Sequence, residues 1–166
     1  MAFELADREG GLERPVKQVL PAKPDDILSF EIQSEQQSYL EMGLQVFATI
    51  DPVTLRHYAR TLMVDWKPIG VIGVSPQWEG VAWGWAFLGV EARKWPLFIT
   101  RTARTMIEKA HQHLSLRRMH VSVNVNHTNA LDWAEILHFK VEGIMKKYGP
   151  GGEDCYMMAR VWDERT

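Results

Sequence analysis

One stretch constrains this chain more than any other: Val81-Ala-Trp-Gly-Trp-Ala-Phe-Leu88, where large rings and small residues take alternate places. A period of two is the signature of a β-strand whose two faces meet different surroundings. Trp83, Trp85 and Phe87 make one face; Ala82, Gly84 and Ala86 make the other. The aromatic face reads as a buried strand face packed on a second layer. The small face lets another element or a ligand approach the backbone closely.

The surrounding pattern extends this strand into a sheet. Ile69 to Val74 reads as a preceding strand, joined to it through a turn around Ser75-Pro76-Gln77. Pro96 fits the first turn of a helix, and Ile99, Ala103, Met106, Ile107, Ala110 and Leu114 recur at helical spacing, leaving Arg101, Arg104, Glu108 and Lys109 outward. His120 to Val125 alternates as a half-buried strand. Asn126 or Thr128 is placed to cap a helix carrying Ala130, Leu131, Trp133, Ala134 and Leu137. Glu142 to Tyr148 and Asp154 to Val161 then read as two strands joined by Gly149-Pro-Gly-Gly152. The order strand, strand, helix, strand, helix, strand, strand predicts an α/β mixed sheet with helices on its faces.

Before residue 67 the signals are more varied. Pro15 to Leu20 fits a short edge strand, and Pro21 to Pro24 a stiff connector ending at Asp25-Asp26, where a helix start favours negative charge. Two short helices are expected among Ile27, Leu28, Ile32, Tyr39, Leu40 and Leu44. Asp51-Pro52 is a further helix start, with Val53, Leu55, Tyr58, Ala59 and Leu62 on the following face. The expectation is one domain over residues 1–166, with 1–66 a variable N-terminal part and 67–162 the core.

Composition excludes several classes of function. The 19 Lys and Arg against 21 Asp and Glu give a net charge of -2, so no global positive field exists to hold nucleic acid or an anionic membrane. The longest apolar run, Val81 to Val90, is far below the roughly 20 residues that span a bilayer, and the acidic start MAFELADREGG lacks the basic and apolar regions of a signal peptide. The expected compartment is a reducing cytoplasm. No pair among His57, His111, His113, His120, His127 and His138 has the i,i+4 spacing that brings two metal ligands together, so no metal is expected. Cys155, the only thiol, reads as a small buried residue. G-x-S-x-G, Walker A and G-x-G-x-x-G motifs are all absent from the sequence.

The run from Asn126 to Val161 resembles the last helix and closing strands of the GCN5-related N-acetyltransferases (GNAT). The residues that carry the likeness are Asn126, Ala130, Leu137, Phe139, Glu142, Gly143, Tyr156 and Arg160. The strand, bend, helix and strand from Val81 to Val125 follow the same family's order, so the resemblance covers about residues 69 to 161. WEGVAWGWAFL followed by RKWPLFITRTAR is most similar to small acetyltransferase-like proteins of tailed bacteriophages.

The resemblance implies a mostly antiparallel sheet with one splayed strand pair, and acetyl-CoA as cosubstrate. The donor would lie between the strand ending near Leu88 and the one ending near Val125, where unpaired backbone groups can bond an extended amide chain. Its pyrophosphate would meet N–H groups at the helix start near Pro96. The implied donor-binding residues are Phe87, Leu88, Val90, Arg93, Pro96, Leu97, Phe98, Asn126, Ala130 and Trp133. Arg93 opens the family's pyrophosphate loop, but Pro96 and Phe98 stand at its two small positions. Ala134 stands where many members carry a tyrosine that serves as general acid, and His138 replaces a glycine.

Two candidates remain for proton transfer. Glu79 reads either as a base acting through water or as a solvated turn residue. Tyr148 reads either as a donor to the leaving thiolate or as a packed strand aromatic. The implied function is transfer of an acetyl group to a primary amine of a protein or small molecule. The alternative is an impaired member of the same fold that binds a host protein or a virion component. A homodimer through the final strand or the tail Trp162 to Thr166 is compatible with either reading.

Overall fold

A computed structural model describes residues 13–163; the acidic start at residues 1–11 and the last three residues of the tail lie outside the described residues. The fold is a mixed α/β sheet flanked by helices, and it is built around the alternating strand.

The strands are β1 (Lys17–Pro21), β2 (Ala59–Val64), β3 (Lys67–Trp78), β4 (Val81–Leu88), β5 (Arg118–Asn124), β6 (Lys140–Met145) and β7 (Cys155–Val161). They form one sheet in the order β1-β2-β3-β4-β5-β7-β6. Every neighbouring pair is antiparallel except β4 with β5. The helices are α1 (Leu40–Thr49), α2 (Pro52–Tyr58), α3 (Pro96–Leu114) and α4 (Thr128–Ile136), with shorter 3-10 turns at Pro24–Leu28, Ser34–Tyr39 and Val90–Lys94.

The two faces of β4 do different work, as their residues dictate. Ala82 and the α3 residues Ile99, Ala103, Ile107 and Ala110 are buried together with Met119, Leu137, Phe139 and Met158. Phe87 faces the other way, into a cluster with Ile27, Phe47, Leu55 and Val71 beneath α1 and α2. Gly43 is required there: a Cβ on it would stand 2.6 Å from Phe87 Cζ, so α1 lays its bare backbone on that ring. Phe47 meets Trp85 edge to face with centroids 5.0 Å apart. Leu62, Met119 and Met158 have no exposed surface beyond 1%, each contributing about 1.5–3 kcal/mol through burial.

Several sequence expectations are corrected. The helix after Asp51 stops at Tyr58, and Leu62 belongs to β2. Its end is a two-residue turn at Asp65-Trp66 with φ of 47° and 66°, the twist a tight hairpin needs, formed here without glycine. The next turn is not at Ser75-Pro76-Gln77, because β3 runs on to Trp78 and reverses at Glu79-Gly80, where Gly80 takes φ of 74°. Pro76 is tolerated because β2 pairs β3 only as far as Gly73, leaving that end of β3 without a neighbour from β2. Neither Asn126 nor Thr128 caps α4; the cap position is His127, and no side-chain cap bond forms. Tyr148 lies beyond the end of β6, 54% exposed in the connection to β7.

Candidate functional site

The site begins where β4 and β5 part. Their pairing consists of Val81 with Arg118, Ala82 with Met119 and Trp83 with His120, and stops there. From Gly84 to Leu88 on one strand and Val121 to Asn124 on the other, the edges diverge. Antiparallel neighbours hold the outer sides of both strands, β3 on β4 as far as Leu88 and β7 on β5 as far as Asn124. The gap is therefore locked open by its flanks. It leads into a cleft enclosing about 320 Å³, lined by both strands, by α3 through Ile99, Ala103 and Met106, and by α4 through Ala130, Trp133 and Ala134.

Backbone groups in the gap are identifiable from their contacts. Ala86 O accepts from Gln36 Nε2 at 2.7 Å, Leu88 N donates to Gln36 Oε1 at 2.9 Å, and Leu88 O accepts from Gln33 N at 3.1 Å. N–H and C=O of one strand residue point to the same side, so Ala86 N–H also faces the gap. Just beyond β4, the first intrahelical bond of α3 runs from Ile99 N to Trp95 O. The amides of Leu97 and Phe98 precede it in the first turn, where the helix itself supplies no acceptor.

The charged groups sit at the mouth. Arg93 Nη2 donates to both carboxylate oxygens of Glu35, at 3.0 and 2.9 Å. The Glu35 carboxyl is held below its ordinary value by its own backbone N–H, by the Ser34 hydroxyl and by Arg93, against burial. His127 lines the cleft at the start of α4; burial pushes its pKa down, Arg93 adds to that, and Glu35 opposes it. Deeper on the N-terminal side, the Tyr39 hydroxyl lies 3.2 Å from Cys155 Sγ. Burial, Cys155 and the charge of Glu153 raise the Tyr39 pKa, keeping it protonated. His120, paired with Trp83 where the two strands still join, is outside the lining of the cleft; burial and Arg118 lower its pKa, and its buried Nδ1 has no hydrogen-bond partner among the described residues.

The structure distributes the sequence candidates unevenly. Phe87, Leu88, Arg93, Pro96, Ala130 and Trp133 line the cleft. Val90, Leu97, Phe98 and Asn126 are outside its lining. The Phe98 ring packs against the main core with Lys17 Nζ 5.9 Å from its centroid, so it does not plug the gap. Glu79 sits in the turn before β4, at the opposite end from the mouth, where Arg117 Nη1 donates to its carbonyl at 2.8 Å. Tyr148 lines a second, shallower groove with Ser38, Glu41, Met42 and Gln45, and Met42 is common to groove and cleft.

Sequence reasoning missed Gln33, Glu35, Gln36 and His127. The run Gln33-Ser-Glu-Gln-Gln-Ser38 is polar and without period, so nothing in it announces a contact with a strand fifty residues away. Among the described residues, no group of three or more His, Cys, Asp and Glu is placed to hold a metal ion, and no helix is long and apolar enough to cross a membrane.

No protein-family model matches the sequence, and no curated protein matches it. Solved structures are similar in fold. A GNAT-family acetyltransferase from Bacillus anthracis superposes with a TM-score of 0.65 at 13% identity, over 87% of this chain and 94% of that one. RimL, a ribosomal L7/L12 alpha-N-protein acetyltransferase solved in complex with coenzyme A, gives 0.62 at 17% identity, over 87% and 93%. Ard1 from Thermoplasma volcanium gives 0.66 at 15% identity, over 89% and 99%. The chain therefore has the fold of the GNAT acetyltransferases.

Proposed function

We propose that this protein is an acyl-CoA-dependent N-acyltransferase using acetyl-CoA to acetylate a primary amine. The observation that carries the reading is the parted β4–β5 pair, which opens on an apolar cleft with the start of α3 and Arg93 at its mouth. The same fold in RimL is solved with coenzyme A. The donor's amide arm would follow the β4 edge, and its diphosphate would meet Arg93 and the Leu97 and Phe98 amides. Phe87, Leu88, Pro96, Ala130 and Trp133 would form the walls. The amine would arrive through the groove of Met42 and Tyr148.

The reaction forms a nitrogen–carbon bond and breaks a carbon–sulfur bond, with one proton leaving the amine and one reaching the departing sulfur. Ala86 N–H is the donor aimed into the gap, suited to a developing oxyanion. His120, beside the last paired residue Trp83 and with its pKa lowered by burial, is the proposed proton acceptor, acting through water because it stands outside the lining of the cleft. Tyr39, held protonated, is the proposed proton donor. Glu79 is left out because its turn lies away from the cleft, and Tyr148 is assigned to the acceptor groove. The likeness to RimL, an alpha-N-protein acetyltransferase, makes protein N-termini the first acceptors to try.

A second reading, a phage protein of the same fold that binds a host or virion protein without transfer, is favoured by one observation: Arg93 and the β4 edge are already engaged by Glu35 and Gln36. Titration of acetyl-CoA, followed by thiol release in the presence of N-terminal peptides, separates the two. Micromolar binding and amine-dependent release support the transferase. Absence of binding at millimolar acetyl-CoA overturns it.

A further inference from the structure

We infer that Gln36 and Glu35 are stand-ins for the donor, bonded to the groups that its amides and phosphate would use, so that these two side chains set donor affinity by competing for the same groups. The inference rests on the transferase reading above and concerns what its donor must displace.

The segment Glu31 to Gln36 lies along the β4 edge in two distinct ways. Its main chain is anchored: Ile32 bridges Gly89, Val90 N donates to Glu31 O at 2.8 Å, and Gln33 N donates to Leu88 O. Gln36 contributes only its side-chain tip. Its primary carboxamide donates to Ala86 O and accepts from Leu88 N, the donor and acceptor that two successive amides of an extended chain offer a strand edge. Glu35 likewise engages Arg93 through its carboxylate alone, offering two anionic oxygens as a phosphate would.

Physical necessity explains the arrangement. A parted strand pair leaves backbone groups that cost free energy when buried without partners. Gln36 satisfies two of them. Because the tips are held by rotatable side chains, and the Arg93 and Glu35 side chains are 49% and 34% exposed, both can swing out while the anchored main chain stays. A ligand then gains only the difference between its own bonds and those it displaces.

The test titrates coenzyme A and pantetheine, which keeps the amides but carries no phosphate, into wild type, Gln36→Ala, Gln36→Met and Glu35→Gln. Gln36→Met keeps the side-chain length without the bonding groups and guards against a local collapse in Gln36→Ala. Removing two neutral hydrogen bonds from the competing state should tighten both ligands by about tenfold in the Gln36 variants. Glu35→Gln should tighten coenzyme A several-fold at low salt and leave pantetheine unchanged. Coenzyme A binding that is unchanged or weaker in both Gln36 variants overturns the stand-in role and leaves the transferase reading in place. No binding of coenzyme A to any of the four proteins overturns both.

Discussion

Gly84 offers a way to separate occupation of the cleft from stability of the fold. It lines the cleft one residue beyond the last β4–β5 pair. A Cβ there would stand 3.2 Å from Val121 Cγ1 and 3.4 Å from Met119 Sδ, so alanine fits after shifts of a few tenths of an ångström. Replacing a strand glycine also reduces the freedom of the unfolded chain, by about 0.4–1 kcal/mol. Gly84→Ala should therefore unfold within about 1 kcal/mol of wild type, or within roughly 4 °C in Tm. Gly84→Leu would extend into the apolar space between β4, β5 and α3. Burial of that side chain contributes about 1.5–3 kcal/mol, and crowding against Val121 and Met119 costs about 1–3 kcal/mol, so the two nearly cancel. Its Tm should also stay near wild type. Donor binding should not: the leucine fills the floor of the slot, and affinity for acetyl-CoA should fall at least 100-fold, about 2.7 kcal/mol. Thermal unfolding and calorimetric titration of the same samples check both halves. A folded Gly84→Leu protein that binds acetyl-CoA as well as wild type would refute the placement of the donor between these strands.

Other expectations follow from single sites. Trp85 lies over its cross-strand partner Gly73, where a Cβ would collide with the indole ring. Gly73→Ala should displace the indole, breaking its 2.9 Å bond to Ser75 Oγ and its contact with Phe47, and destabilise by about 3 kcal/mol in chemical unfolding. His138 takes φ of 69° at the end of α4, a conformation that costs a non-glycine residue about 1 kcal/mol. His138→Gly should recover about that amount, read as a higher urea midpoint at unchanged m-value. For His127, the folded pKa lies below the ordinary 6.5, so the unfolded chain takes up its proton first as pH falls. Stability should decline as pH drops through 6.5 and level off once the folded ring is protonated; in His127→Asn, Tm measured from pH 7.5 to 5 should show a shallower decline.

How far the sequence carried the argument depends on the range of the interaction involved. β4, α3 and α4 were legible because burial imposes periods of two and 3.6 on their residues, and that pattern survives in one dimension. β2 was misread because Leu55, Tyr58, Ala59 and Leu62 keep helical spacing across an element boundary, while the turn that ends the hairpin uses Asp65 and Trp66 rather than glycine. Arg93 and Trp133, which line the cleft, were named from the resemblance. Gln36 was not, since its partners are backbone groups, which every residue carries and no sequence marks.

The amino-acid order alone determined which residues seek a core: the two-faced strand, its helical cover and the layered α/β arrangement follow from where apolar side chains recur. Tertiary structure decided where the pairing of β4 with β5 stops, which side chains occupy the gap, and that Glu79 and Tyr148 fall away from it. The reason is physical. Hydrophobic burial is non-directional and writes itself into composition and period, whereas a binding site is made by directional hydrogen bonds between groups brought together only when the chain has closed on itself.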